Sequence, residues 1–326
     1  MSKKIIAVTM GDAAGIGPEI IVKALGDPMI YDICSPLLIG DSGVINKTIK
    51  SLESTLSLHP VRSVADVEGR YGSIDMLDLQ NLPDEIILGK VSADCGRAAM
   101  EYISKAAEMT GGGEAAAMAT APINKESVVK AGYPDTGHMK YLARITGTTE
   151  YAAMLMTGAL RVVHLSDHYS LKEACDLVKR DLILAKLILI NDSFLKWNVD
   201  KPRIGVAALN PHGSDGGLFG NQEENEITPA VNDAKKQGIN ASGPFPADSI
   251  FYRAISGEFD VILAMYHDQG HIAVKVHGFE NSVAVTLGLP FVRTSVDHGT
   301  AFDIAGQGIA DHQSMIEAIT TAVELS

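Results

Sequence analysis

Cysteine is scarce in this chain of 326 residues. Its three cysteines, Cys34, Cys95 and Cys175, are odd in number and widely spaced. They outline neither a disulfide framework nor a cysteine-rich metal site, and the chain reads as cytoplasmic. An excess of positive charge is absent too, because 27 Lys and Arg stand against 40 Asp and Glu, for a net charge of −13. Displacing counterions from nucleic-acid phosphates needs a basic stripe, so nucleic acid is excluded as a partner. An anionic small molecule remains admissible, provided that a few local cations meet its charge. Long apolar runs are missing as well. The opening IIAVTM stops at Gly11-Asp12, too soon for a signal peptide. The run around 182–190 is broken by Lys186 and is too short to span a bilayer.

What is present points to a packed α/β protein. The chain is 46% hydrophobic and 21% charged, and its length suits two domains or one large one. Strand-like runs fall at 5–10, 36–40, 85–89, 115–120, 151–157, 161–166, 203–209 and 261–266. Helical patterns fall near 17–25, 95–110, 125–131, 138–146, 171–197, 223–237 and 313–325. The strand runs are continuously apolar rather than alternating, as expected of strands covered on both faces in a largely parallel sheet. Ser170 and Glu173 have capping-box spacing. His168 is therefore placed at the carboxyl end of a strand just before a helix, where open α/β sheets gather ligand groups.

Nine of the ten histidines lie at or after residue 138. Three of them end strand-like runs: His168, His212 in LNPHG and His267 in AMYHDQG. Imidazoles at three strand ends can converge on one divalent ion, or each can simply cap its strand. Two pairs four residues apart are set aside. His164 and His168 on an extended chain would lie roughly 13 Å apart, and His267 and His271 lack the acidic spacing of the zinc-protease helix. GDAAGIGPE (11–19) links the first strand to the first helix with backbone N–H groups available to an anion, although its spacing is neither Rossmann nor P-loop. Residues 293–308 show neither helical nor strand period and read as a functional loop. Lys275 and Arg293 are candidates for holding a carboxylate or phosphate. Trp197 and the leucines of 182–195 read as helix core.

TMGDAAGIGPEI (9–20), TAPINKE (120–126), LNPHGSDGGLFG (209–220), AMYHDQGH (264–271) and LGLPFVRTSVDHGTAFDIAG (287–306), taken in order, carry a resemblance over essentially the whole chain. The sequence resembles the 4-hydroxythreonine-4-phosphate dehydrogenase (PdxA) family, and its two terminal motifs also look like those of isopropylmalate and isocitrate dehydrogenases. The resemblance implies a two-domain isopropylmalate-dehydrogenase-type fold. Residues 1–127 plus 272–326 would form the NAD-binding domain, and 128–271 the central domain that binds metal and forms the dimer. The active site would lie in the interdomain cleft of a homodimer and be completed by the partner subunit. His168, His212 and His267 fall on the family's metal ligands, whose imidazoles suit zinc, cobalt or manganese better than magnesium. His138, Met139, Lys275, Ala284 and Arg293 fall on substrate positions. The loop His298, Gly299, Thr300, Ala301 and Asp303 would receive NAD. Asp268 and Lys125 are candidates for taking the hydroxyl proton.

The implied reaction is oxidation of a hydroxy acid followed by loss of carbon dioxide from the resulting 3-keto acid. Two departures bear on the substrate. Where the family typically reads His-Thr-Glu, this chain has His138-Met139-Lys140, and an expected Asn is Ala284. Loss of two polar contacts with Lys275 and Arg293 kept argues against the pyridoxine-pathway substrate, 4-phosphooxy-threonine. VVHLSDH (162–168) and DQGHIAVK (268–275) look more like the branch of the family that oxidises 4-phospho-D-threonate or 4-phospho-D-erythronate. A dehydrogenase of an unphosphorylated, cis-dihydrodiol-type carboxylate is the alternative. Outside the dehydrogenases, an acyltransferase of the same superfamily and a non-catalytic binding protein are the competing classes.

Overall fold

The described residues form twelve strands: β1 (Ile5–Thr9), β2 (Ser35–Gly40), β3 (Ser57–Pro60), β4 (Ser73–Asp78), β5 (Ala117–Thr120), β6 (Ala152–Thr157), β7 (Leu160–His164), β8 (Ile204–Ala207), β9 (Ala241–Phe245), β10 (Val261–Ala264), β11 (Val283–Leu287) and β12 (Val292–Val296). The structure is a computed structural model and describes residues 3–326. It divides into two units. The first runs to Thr149 and takes up the chain again at Leu289–Ser326, and the second is Glu150–Gly288. Among the described residues no helix is long and apolar enough to cross a membrane.

In the first unit the strand order is β3-β4-β2-β1-β5-β12, with every pairing parallel. Helix Ala93–Gly111 packs on β1 and β2, and helix Gln313–Leu325 packs on β5 and β12. Strands β1, β2, β5 and β12 are accordingly buried nearly end to end, whereas the edge strand β3 is exposed at both ends. The second unit has the order β11-β6-β7-β10-β8-β9. Its β11–β6 and β6–β7 pairings are antiparallel, and the rest are parallel. Its core gathers Leu155, Leu160, Val162, Ile250, Ile262 and Val274. Three neighbouring parallel strands, β7, β10 and β8, therefore end on the same edge, and each feeds a loop or helix start that carries one of the strand-end histidines.

Several sequence expectations need correcting. Residues 85–89 form no strand. Ile87 is 73% exposed, and its neighbours Ile86 and Leu88 line a cavity instead. Residues 293–296, expected to be loop, are most of β12. The helical stretch 171–197 is two helices, Leu171–Asp176 and Arg180–Lys196. Strand β4 was hidden by its polar pattern, because the buried Asp75 receives a hydrogen bond from the Gly69 N–H (2.7 Å) and lies 2.6 Å from His59 Nδ1. The unit boundaries fall after 149 and 288 rather than 127 and 271. Helices Lys125–Lys130 and His138–Thr146 dock on helix Ala93–Gly111, where Ser104 and Tyr141 hydroxyls meet at 2.6 Å. At the other end, β11 pairs with β6 and holds 272–288 in the second unit.

Candidate active site

In the second unit, the ends of β7 and β10 frame a cavity of about 290 Å³ lined by Asp167, His168, Tyr169, Tyr266, His267 and Asp268, among others. The capping box is formed, with the Ser170 hydroxyl accepting from Glu173 N and the Glu173 carboxylate receiving Ser170 N, so His168 stands just before a helix as the sequence implied. The rings of His168 and His267 have centroids 6.0 Å apart. His267 opens helix His267–His277, and its Nδ1 lies 2.7 Å from Asp268 Oδ1.

His212 does not join them. It sits in the tight turn Pro211–Asp215 at φ 55°, followed by Ser214 at 73° and Asp215 at 45°. This left-handed run leaves the imidazole exposed, with Nδ1 3.2 Å from Asp215 Oδ2. Such φ values are costly for side chains with a Cβ and gather at functional sites. Among the described residues no three or more His, Cys, Asp or Glu are arranged to hold a metal. Within one chain, His168 and His267 are therefore neighbours, and His212 is not among the residues lining their cavity. The donor chemistry nonetheless fits a divalent ion. In both His267 and His212 a carboxylate holds Nδ1 and leaves the Nε2 lone pair to a ligand, the arrangement of carboxylate–histidine–metal sites.

Sequence reasoning passed over the groups behind this cavity. His164, at the end of β7, is 1% exposed, and burial lowers its pKa to about 3, helped by the neighbouring His271 and His267. Burial also raises the Asp167 carboxyl and lowers the Lys186 ammonium, which the charges of Asp167 and Glu150 partly offset. Asp268 contacts His267 Nδ1 and sets its tautomer, and Lys125 is exposed at the start of its helix.

The first unit holds a second cluster. Arg293, in β12, is 4% exposed, and its Nε and Nη2 donate to the Thr120 hydroxyl at 3.1 and 2.7 Å. Burial pulls its pKa down to about 9. His138 begins helix His138–Thr146, and its Nε2 is buried without a hydrogen-bond partner. Burial, followed by the charge of Arg293, holds its pKa well below the usual histidine value. A buried guanidinium and an unsatisfied imidazole nitrogen form a seat suited to an anion or a hydroxyl. Met139 follows on the same helix, half-buried. In the second unit, Lys275 donates to Ser282 Oγ at 2.9 Å and lies 4.6 Å over the Phe279 ring. Ala284 packs against the core.

The state of His138 gives a pH signature. Its folded pKa is depressed, so below about pH 6.5 the unfolded chain binds a proton that the folded chain refuses. Stability of the first unit should fall as pH drops from 7 to 5, by up to ~1.4 kcal/mol per pH unit from this residue, and should be flat in this respect above pH 7. Urea denaturation of wild type and His138→Gln across that range checks it, since the variant should lose this part of the slope.

The glycine-rich turn and the late loop meet in the first unit. Ile16 N–H donates to the Thr300 carbonyl at 3.0 Å, and Glu19 accepts from the N–H groups of Gly308 (3.2 Å) and Ala310 (2.7 Å). His298, Gly299 and Asp303 are exposed, Ala301 is half-buried at φ 40°, and Thr300 is buried. Beside them lies a cavity of about 200 Å³ bordered by Gly15, Pro18, Lys47, Leu52, Leu88 and Gly306. A Cβ on Gly15 would stand 2.8 Å from both Thr300 Cβ and its carbonyl oxygen. Gly15→Ala should therefore shift the 298–304 loop and destabilise the unit by about 1–3 kcal/mol. Thermal unfolding of wild type and variant reads the effect.

Residues 32–322 match the family described as "Pyridoxal phosphate biosynthetic protein PdxA". The chain is 44% identical over 329 residues, covering 100% of it and 99% of the relative, to a protein of Oceanobacillus iheyensis named "Putative D-threonate 4-phosphate dehydrogenase". Among solved structures, a 4-hydroxythreonine-4-phosphate dehydrogenase from Burkholderia phymatum is 41% identical with a TM-score of 0.91, covering 100% of this chain and 99% of that one. The Klebsiella pneumoniae enzyme of the same name is 37% identical with a TM-score of 0.93, covering 99% of each chain.

Proposed function

The chain belongs to the PdxA family, and from that premise we propose that it is an NAD- and divalent-metal-dependent dehydrogenase of a 4-phosphorylated 3-hydroxy acid, with 4-phospho-D-threonate or 4-phospho-D-erythronate preferred to 4-phosphooxy-threonine. The observation that supports this reading is the buried Arg293 guanidinium beside His138, whose imidazole is held below the usual histidine range, a pair suited to an anionic substrate group. Arg293 meets that group as a fork held by Thr120, and His138 Nε2 takes one further polar contact. Met139 offers a thioether where the family has a hydroxyl, which disfavours a substrate bearing an extra polar substituent there. Lys275, in the second unit and held by Ser282, is a separate candidate for meeting an anion.

His168 and His267 would hold the metal, with His212 as the third ligand. A divalent ion held there would draw electron density from the substrate hydroxyl and from the ketone that replaces it. The 298–304 loop would hold NAD, which would supply the hydride acceptor. Asp268 keeps the proton of His267 on Nδ1 and its Nε2 open.

We propose that a second copy of the chain completes the metal set. Ile272, Val276 and Phe279, spaced by four and three residues, are 61%, 83% and 71% exposed. That apolar stripe supports a dimer interface. Light scattering should give twice the mass of the 326-residue chain.

The functional test is NAD reduction with added manganese or zinc on 4-phospho-D-threonate, 4-phospho-D-erythronate, 4-phosphooxy-threonine and unphosphorylated diol carboxylates. Turnover confined to the first two is expected. A normal rate on 4-phosphooxy-threonine would overturn the preference, and activity only on an unphosphorylated diol would overturn the phosphate reading.

A further inference from the structure

His267 is held on its solvent side by one contact, the carboxylate of Asp268, whose side chain is 73% exposed. An exposed contact of that kind contributes little to fixing a ring. On its other side the arrangement is different. His271 lies one helical turn on, with its ring stacked on His267 at a centroid separation of 3.6 Å and an interplanar angle of 15°. Behind His271 stands His164, its ring centroid 4.6 Å away.

The hydrogen bonds fix how these rings face one another. His271 Nδ1 lies 3.2 Å from the His267 carbonyl oxygen. A carbonyl only accepts, so Nδ1 bears the proton, and the same N–H reaches the lone pair of His164 Nε2 at 3.2 Å. His164 then carries its own proton on Nδ1, which is turned towards Asp167 Oδ1 at 3.7 Å. Gly270 makes the approach possible. A Cβ there would press on His164 Nε2 and stand 2.7 Å from Val162 Cγ1, so only glycine lets the helix lie this close to β7.

We propose that His271, backed by the buried His164, is a positioning residue that presents the His267 ring to the metal in one orientation. Neither ring is among the residues lining the cavity beside His168 and His267. The stack sets the plane of His267 from the protein side, and Asp268 sets its tautomer from the solvent side. The inference rests on His267 being a metal ligand.

The test uses the full-length protein and three readouts: the dissociation constant for zinc by chelator competition, the visible bands of the cobalt(II) form, and thermal unfolding. His271→Ala is expected to bind zinc 10–100-fold more weakly, the range seen when outer partners of metal ligands are removed, and to change the cobalt bands. His271→Phe, which restores a ring face, should recover most of the affinity. If the alanine variant does not fold, His271→Leu, which fills the volume without a ring, carries the same expectation. A folded Ala or Leu variant with wild-type affinity and wild-type bands overturns the proposal. His267→Ala is the control. Unchanged zinc affinity in that variant overturns the ligand reading itself, and the positioning role with it.

Discussion

Alanine at His267 is expected to lower kcat/KM by at least ~10³-fold. The activation that an ion supplies to a hydroxyl and carbonyl is several kcal/mol, and ~4 kcal/mol corresponds to a factor of about 10³. Folding should survive, because His267 opens its helix on the surface and the core under that helix is formed by Val274, Val162 and Ile262. Chelation of the wild-type protein should produce the same loss, and added zinc or manganese should reverse it. In His267→Ala no metal concentration should restore the rate. Initial rates with and without chelator decide this, and full activity in the chelated wild type would remove the metal from the mechanism.

Arg293→Met should separate binding from stability. A guanidinium brought down to about 9 by burial costs the folded chain on the order of 5 kcal/mol to keep charged. Methionine fills much of the same volume without that cost, and buried charges replaced by apolar side chains are often neutral or stabilising exchanges. The variant should therefore unfold at a temperature equal to or above that of the wild type. Its affinity for a phosphorylated hydroxy acid should fall ~10²–10³-fold, the equivalent of losing about 3–4 kcal/mol of charge-assisted hydrogen bonding. Calorimetry and steady-state KM on one preparation read both. A variant that loses stability and keeps KM would show that Arg293 is a structural residue.

The sequence was most informative where local chemistry sets local structure. The Ser170–Glu173 box and the β-branched run ending at His164 placed His168 correctly, and the glycines of 11–17 marked a turn that does pack against the late loop. It was least informative where tertiary neighbours decide. Asp75 made β4 look like loop because the groups that satisfy it, His59 and the Gly69 N–H, come from a neighbouring strand and a separate turn. Helix His267–His277 was missed because His, Asp, Gln, Gly and His are poor helix signals, and its apolar positions Ile272 and Val276 face outwards. The unit boundaries were invisible without a linker, since they depend on how 125–146 dock on 93–111. The contact between His164 and His271 joins residues 107 apart, and no periodicity reports that. The outward turn of His212 followed from positive φ values that its Pro-His-Gly-Ser context did not announce.

Arg293 lies in the sixth strand of the first unit's sheet, beside β5 and beneath helix Gln313–Leu325. On the role proposed for Arg293, ligand recognition is built into the element whose formation completes that sheet, and folding and binding share one reservoir of free energy. An anion bound only by the folded chain adds RT ln(1 + [L]/Kd), about 2.7 kcal/mol at a hundredfold excess over Kd. The right phosphorylated acid should therefore announce itself as a rise in melting temperature, with no dinucleotide, no metal and no turnover. A melting screen across hydroxy-acid phosphates can rank the natural ligand before any catalytic assay is in hand.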